Sequence, residues 1–203
     1  ISLFSTAFKL GIEPFIFSHA KNKSAEKTYA LILEIFVIIS SFILVTIVVF
    51  IDVLKVVFIG DAAYWDALYI VPIILLANLF LGIYQNLSVW YKVTDNTKYG
   101  AFISIIGVVI TLSVNFVLIQ EHEYLGSAIA TFLAYFFMAI ISYFLGKRHY
   151  PIPYNITKIL TYILFTSGLA FLSFHFFREN YYFGVGILII LGLSILKFEK
   201  HTI

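Results

Sequence analysis

The sequence predicts an all-α fold, a polytopic transmembrane helical bundle, from its composition and from the length of its apolar segments. Of the 203 residues, 62% are apolar and 12% are charged, and the mean hydropathy is +1.00. Soluble domains have about 45–50% apolar and about 25% charged residues. One aqueous core cannot bury this excess, whereas a bilayer accepts helices of about 20 apolar residues.

Charge and cysteine content exclude several other classes of protein. The net charge of +2 is too small to indicate a nucleic-acid partner. The absence of cysteine excludes a disulfide framework and thiolate metal ligands. The chain begins at Ile1, and its first 18 residues lack the basic start and small-residue cleavage site of a signal peptide. We therefore interpret the chain as the C-terminal part of a longer protein.

Apolar runs predict most of one membrane span followed by six complete spans. The predicted spans are residues 1–18, 29–51, 67–90, 101–119, 124–146, 157–177 and 181–196. Residues 19–28 form a basic connection, whereas 52–66 and 120–123 are mostly acidic links. The last predicted span is short and contains three glycines.

The first span carries two charges, Lys9 and Glu13, followed by Pro14. Residues four apart lie on one helical face, so this spacing allows Lys9 and Glu13 to pair. A charge at the bilayer centre costs at least about 2.5–3.5 kcal/mol, so both side chains should face protein or water. Two interpretations stay open: an ion pair that only neutralises itself, and a functional site.

The second and third spans also contain polar groups. Glu34 lies close enough to the start of its span to reach the headgroups, and a functional role is the alternative. Pro72 is predicted to bend the third span near its start. That span contains the amides Asn78, Gln85 and Asn86 and ends at Trp90, with Tyr91 at the interface and Lys92 outside the lipid. Amides at this depth need partners, so the span should pack against a polar interior.

Small and polar residues recur at three- or four-residue steps along the next two spans. They are Ser104, Gly107, Thr111, Asn115, Gly126, Ala130 and Ala134. Such stripes are typical of helix–helix contacts in lipid, so we predict packing faces. For Asn115, lining of a cavity remains an alternative.

The distribution of basic residues predicts the orientation of the chain. Ten Lys and Arg residues lie after the first, third and fifth spans and in the C-terminal tail, against two in the alternate connections. Basic connections stay in the cytoplasm, so the C-terminus is predicted to be cytoplasmic.

No motif for catalysis, nucleotide binding or metal binding is present, so we predict neither an enzyme nor a cofactor. The histidines lack metal-ligand spacing; they are His19, His122, His149, His175 and His201. An apolar bundle with polar groups inside it favours translocation over bond chemistry.

Three runs resemble a known family: GIYQNLSVWYKVTDNTKYGA at 82–101, GSAIATFLAYFF at 126–137 and SYFLGKRHYPIPYN at 142–155. Together they resemble the C-terminal half of bacterial polysaccharide exporters of the Wzx type, the O-antigen flippases. These exporters belong to the multidrug/oligosaccharidyl-lipid/polysaccharide (MOP) superfamily, whose fold is MATE-like.

The resemblance implies a fold of fourteen helices, in two lobes of six helices with two helices appended. On that basis 1–146 belongs to the C-terminal lobe of the transporter core, and 147–203 forms the two appended helices. The implied location is the bacterial inner membrane. The implied substrate is undecaprenyl-diphosphate-linked oligosaccharide, moved between leaflets by alternating access, and polysaccharide assembly proteins are possible partners.

Central helices line the cavity in this family. The resemblance therefore implies that the cavity or substrate residues are Lys9, Glu13, Asn78, Tyr84 and Gln85. The Lys9 cation would attract the diphosphate, and amides and aromatic rings would meet the sugars.

Two alternatives remain open beside the flippase. A cation-coupled multidrug exporter of the same superfamily would use Glu13 to carry a proton or sodium ion. A membrane-embedded polysaccharide polymerase or ligase would need a substantial external loop, and the external links here reach only about fifteen residues.

Overall fold

The computed structural model describes residues 1–20, 22, 24–178 and 181–199; at 121, 122, 181, 198 and 199 only the backbone is described. Every element within these ranges is helical, and this confirms the predicted all-α bundle. The α-helices are α1 (Ser2–His19), α2 (Ala25–Val49), α3 (Ile51–Phe58), α4 (Val71–Leu87), α5 (Val89–Val93), α6 (Lys98–His149), α7 (Ile156–Phe176) and α8 (Tyr181–Glu199). A 3₁₀ helix, Ala62–Ile70, leads directly into α4.

Five helical segments in the described chain are long and apolar enough to cross a membrane. They are Ala25–Val49, Ala62–Val93, Lys98–Gln120, Glu123–His149 and Ile156–Phe176. The charges of Lys9 and Glu13 lower the hydropathy of α1, which is not among the five. The apolar part of α8, Tyr182–Lys197, is a shorter helix. The chain is thus a multi-pass membrane protein.

Two connections and the effect of Pro72 differ from the sequence prediction. Much of the link predicted at 52–66 is helical, and α3 exposes the apolar side chains of Val56, Val57 and Phe58. Pro72 lies in the first turn of α4, where its missing N–H breaks no hydrogen bond of the helix. In place of the predicted link at 120–123, α6 has a sharp break at Glu123, where φ is +42°.

Helix α2 occupies the centre of the bundle, with α1, α4, α7 and α8 packed around it. Its side chains at Phe36, Val37 and Val45 are fully buried. The hairpin formed by the two halves of α6 packs mainly against α4. The half before the break is the most exposed of the five apolar segments, with only 11% of its most apolar window buried.

Aromatic contacts gather several helix ends at one end of the bundle. The Tyr99 hydroxyl and His149 Nε2 are 2.9 Å apart, and the His149 ring stacks on Trp90 at a centroid distance of 5.5 Å. Trp90 Nε1 donates to Ser142 Oγ at 3.4 Å. The connections after Trp90 and after His149 therefore lie at the same end, which we call the basic end.

Candidate functional site

A small cleft between α1, α4 and α5, near the basic end, holds most of the charges predicted inside the membrane. We call it the α1 cleft; its lining residues are Lys9, Ile12, Glu13, Ile16, Phe17, Gln85, Asn86, Val89 and Lys92. Its volume is about 20 Å³. A cavity of that size holds about one water molecule.

Gly82 lets α1, α2 and α4 approach one another just beneath the α1 cleft. A Cβ atom added at Gly82 would lie 2.1 Å from Cζ of Phe36 and 2.9 Å from Oγ of Ser5. Any side chain there would push α4 away from its neighbours. The close approach keeps Gln85, one turn further along α4, beside α1.

The main polar contact in the α1 cleft joins two helices that are distant in sequence. Lys92 Nζ donates to Glu13 Oε1 at 2.5 Å. The side chains of Lys92 and Glu13 are 25% and 30% exposed. Glu13 thus pairs with Lys92 and not with Lys9, the pairing that the four-residue spacing allowed.

Lys9 lines the same cleft as the Glu13–Lys92 pair but makes no ion pair or side-chain hydrogen bond with any described residue. Among the described residues, the cleft therefore contains two cations and one carboxylate. Gln85 adds a side-chain oxygen, Oε1, that is buried and accepts no hydrogen bond in the described structure. A buried amide oxygen without a donor is costly, so this position favours a hydroxyl or a water in the cleft.

Two of the predicted cavity residues lie outside the α1 cleft. Asn78 is half-buried, and its Nδ2 donates to the Ile74 carbonyl of its own helix at 2.8 Å. Tyr84 is buried, with its hydroxyl 3.2 Å from that of Tyr91. The structure therefore gathers Lys9, Glu13 and Gln85 but not Asn78 and Tyr84.

The small residues predicted to pack helices lie on the two halves of α6. Those that are buried are Gly107, Gly126, Ala130 and Ala134. A Cβ at Gly107 would lie 2.4 Å from Sδ of Met138, and one at Gly126 would lie 2.8 Å from the backbone of Leu118. The two halves therefore approach closely at both glycines.

The polar members of the same stripe behave differently from the small ones. Asn115 Oδ1 accepts a hydrogen bond of 3.0 Å from Ser127 Oγ across the break in α6. Thr111 Oγ1 donates to its own helix at the Gly107 carbonyl. Ser104 is exposed.

A second and larger hollow was not predicted from the sequence. It lies between α2, α7 and α8, and we call it the α7 groove; its volume is about 660 Å³. Its lining residues are Glu34, Asn155, Thr157, Lys158, Thr161, Tyr162, Phe165 and Ser194. Lys158 Nζ donates to Glu34 Oε2 at 2.9 Å, so Glu34, which the sequence predicts to reach the headgroups, contacts another helix. The only sequence signal for this groove was a carboxylate within one span, Glu34, and a lysine at the start of a later span, Lys158.

A third charged cluster lies at the opposite end of the bundle. Arg178 donates two hydrogen bonds to Asp52, at 2.7 and 2.9 Å, and Lys55 donates to Asp52 at 2.5 Å. The Arg178 guanidinium, assisted by Lys55, holds the pKa of Asp52 below its ordinary value. This cluster ties the start of α3 to the end of α7.

No group of three or more His, Asp or Glu side chains in the described chain is arranged to hold a metal ion. Comparison of the chain with protein-family models, curated proteins and solved structures found no match. The fold and these sites define a multi-pass, all-α membrane protein with a charged cleft between its helices.

Proposed function

We propose that this protein is a flippase that moves undecaprenyl-diphosphate-linked oligosaccharide from the cytoplasmic to the periplasmic leaflet by alternating access. The observation that carries the proposal is the α1 cleft, where two lysines and one carboxylate share a hollow inside an apolar bundle. Ionisable side chains are expensive in a membrane and mark the path of a polar ligand by default.

The chemistry of the α1 cleft suits an amphiphile with an anionic headgroup. Lys9 and Lys92 outnumber Glu13, so the net charge of the cleft is positive and favours a diphosphate. Gln85 and Asn86 supply amide groups for sugar hydroxyls. The apolar helices around the cleft would accommodate the polyprenyl chain.

The size of the α1 cleft requires a change of conformation during transport. At about 20 Å³ it is far too small for a diphosphate-sugar. The Glu13–Lys92 pair joins α1 to α5 across the cleft, so α1 must separate from α5 before a substrate can enter. A diphosphate that pairs with Lys92 would replace Glu13 as its counter-ion and thereby favour the wider state.

The test substitutes Lys9, because its loss breaks no ion pair or side-chain hydrogen bond of the described structure. In the whole protein, expressed in a bacterial strain that lacks its own copy, Lys9→Gln should lower surface polysaccharide at least tenfold at unchanged protein abundance. The matched control is Lys98→Gln, an exposed lysine outside the α1 cleft, which should leave polysaccharide normal.

Normal polysaccharide in the Lys9→Gln strain, at normal abundance, would contradict the proposal. Glu13→Gln separates the flippase from a cation-coupled drug exporter. Lost drug tolerance with intact polysaccharide in that variant would identify Glu13 as a coupling carboxylate and reject the flippase.

A further inference from the structure

We infer that α3 is an interfacial helix that inserts an exposed apolar face into the bilayer, at the boundary between headgroups and acyl chains. Three side chains form this surface, Val53, Val56 and Val57, and we call it the α3 face. The sequence predicts only a mostly acidic link here, so a contact with lipid is a property of the folded chain. Neither the α1 cleft nor the proposed transport activity is needed for it.

The α3 face points away from the helical bundle. Val53, Val56 and Val57 are 47%, 63% and 71% exposed, and their spacing of three and four residues places them on one side of the helix. Ile51, near the opposite side, is buried. The main helix contact of α3 is with α2, the helix that precedes it. Within the described chain, the α3 face is therefore uncovered.

The charged side chains of α3 are turned toward the bundle. Asp52 and Lys55 are 17% and 19% exposed and pair with each other at 2.5 Å. Arg178 donates two hydrogen bonds to Asp52, at 2.7 and 2.9 Å. A helix that lies on a protein in water presents its charges outward and its apolar residues inward. In α3 this order is reversed, as suits a helix whose outer side meets lipid.

The ends of two spans fix the start of α3 at the membrane surface. Asp52 comes three residues after the apolar segment Ala25–Val49, and Arg178 comes two residues after Ile156–Phe176. Charged side chains that directly follow a span lie among the headgroups. The Asp52–Arg178 pair therefore holds the start of α3 in the headgroup region.

The α3 face cannot rise far above that level. Val57 lies five residues beyond Asp52, so even along an upright helix it is at most about 8 Å further out. The headgroup region is about 5–7 Å thick on each side of the bilayer. Any inclination of α3 brings the valines closer to the acyl chains.

Trp65 shows that the chain turns back toward the membrane directly after α3. Its Nε1 donates to the Ile59 carbonyl at 3.4 Å, and Lys55 Nζ lies 4.7 Å from the centroid of its ring. Trp65 belongs to the apolar segment Ala62–Val93. Tryptophan is enriched at the membrane interface, so its contact with Lys55 places the middle of α3 at that depth.

The small size of the α3 face favours lipid over a second protein. A stable protein interface takes about 20–30 residues from each partner, whereas the α3 face has three side chains. Water is a poor neighbour, because adjacent exposed valines offer it no hydrogen bond. Lipid needs no matching surface, so the bilayer itself is the partner that fits the α3 face.

The first experiment measures the surroundings of the α3 face with spin labels. The 203 residues contain no cysteine, so in the whole protein only cysteines outside them need replacement by serine. Nitroxides are attached to Val53→Cys and Val57→Cys. The lipid reference is Val109→Cys, exposed on a spanning segment, and the water reference is Thr97→Cys, exposed in a connection. Collisions with oxygen, which concentrates in lipid, and with a neutral nickel chelate, which stays in water, are measured in phosphatidylcholine nanodiscs.

We expect both α3 positions to have an oxygen-to-nickel ratio at least threefold above that of Thr97→Cys and below that of Val109→Cys. The ratio is intermediate because the interface lies between water and the acyl core. Both valines are exposed, so the labelled proteins should keep the wild-type thermal stability. Two positions are labelled so that the failure of one variant leaves the other to decide.

The second experiment measures depth by fluorescence quenching. A fluorophore on Val57→Cys is reconstituted with phosphatidylcholine brominated either near the glycerol or near the end of the acyl chain. We expect the bromine near the glycerol to quench at least twofold more strongly. The matched control, a fluorophore on Val109→Cys in the middle of its span, should show the opposite order.

Three results would overturn the inference. A ratio at Val53→Cys and Val57→Cys equal to that at Thr97→Cys would place the α3 face in water. Low accessibility to both oxygen and nickel would show that protein covers it, either a second copy or another part of the whole protein. Equal or absent quenching by the two brominated lipids at Val57→Cys would show that the face does not enter the headgroup–acyl boundary.

Discussion

The α1 cleft and the α7 groove both hold a carboxylate–lysine pair that joins distant helices, yet they differ in size and charge. Among the described lining residues, the α1 cleft has about 20 Å³ and two lysines, Lys9 and Lys92, whereas the α7 groove has about 660 Å³ and one lysine, Lys158. Their ion pairs are similar in kind, at 2.5 and 2.9 Å. A glutamate–lysine pair therefore lies across a small cleft in one region and at the edge of a large groove in the other. The packing of the surrounding helices determines the size of the hollow.

The tight packing beneath the α1 cleft gives the largest expected effect. Gly82→Ala would place a methyl group 2.1 Å from Cζ of Phe36, which is fully buried, so the ring or the helix must move. We expect a loss of about 2–3 kcal/mol in the free energy of unfolding. Thermal unfolding in detergent micelles measures it.

The matched control for Gly82 is a glycine of α8, the helix that forms part of the α7 groove. A Cβ at Gly192 would have nothing within 4 Å. Gly192→Ala should therefore be neutral or stabilising by up to about 1 kcal/mol, because alanine favours a helix. Equal losses at the two glycines would remove the contrast between a tight cleft and an open groove.

The two ion pairs should respond unequally to the loss of their carboxylates. The Lys158 and Glu34 side chains are 18% and 13% exposed, against 25% and 30% for Lys92 and Glu13. Glu34→Gln removes the better-shielded of the two carboxylates, so we expect about 1–2 kcal/mol of destabilisation, and at most about 1 kcal/mol for Glu13→Gln. Chemical unfolding of both variants in the same detergent compares them; a larger loss at Glu13 would contradict the ranking by burial.

The charged cluster of Asp52, Lys55 and Arg178, at the end of the bundle opposite the basic end, gives the smallest expected effect on stability. That effect depends on pH. The pKa of Asp52 is lowered on folding, chiefly by Arg178, so its contribution to stability is complete above the ordinary carboxyl pKa of 3.8. That contribution is lost as the pH falls from there through the folded pKa. The wild-type melting temperature should therefore approach that of Asp52→Asn below about pH 4. A constant difference between the two proteins down to pH 2 would contradict it.

Much of the fold could be predicted because hydropathy is a local property. The apolar runs located the helices that are long and apolar enough to cross the membrane, and the spacing of small residues selected Gly107 and Gly126, where the two halves of α6 approach. The helix α3 was missed because its eight residues are too few to give a periodic signal against an apolar background. The orientation across the membrane remains a prediction from the basic connections.

The candidate site was predicted only in part. Lys9, Glu13 and Gln85 were selected because polar groups inside a span need partners, and they do line one cleft. Asn78 satisfies its amide within its own helix, an option that residue type alone does not exclude. The α7 groove was missed because Glu34 and Lys158 are separated by 124 positions in the chain.

The sequence by itself determined that this chain forms apolar helices with basic and acidic connections in alternation, because hydropathy and charge act residue by residue. Only the tertiary structure decided which charges meet. Glu13 lies one turn from Lys9 but pairs with Lys92, 79 positions away, because the packing of α1 against α4 and α5 brings that lysine within 2.5 Å. Coulomb attraction depends on distance in space, and the chain order of the helices does not give that distance.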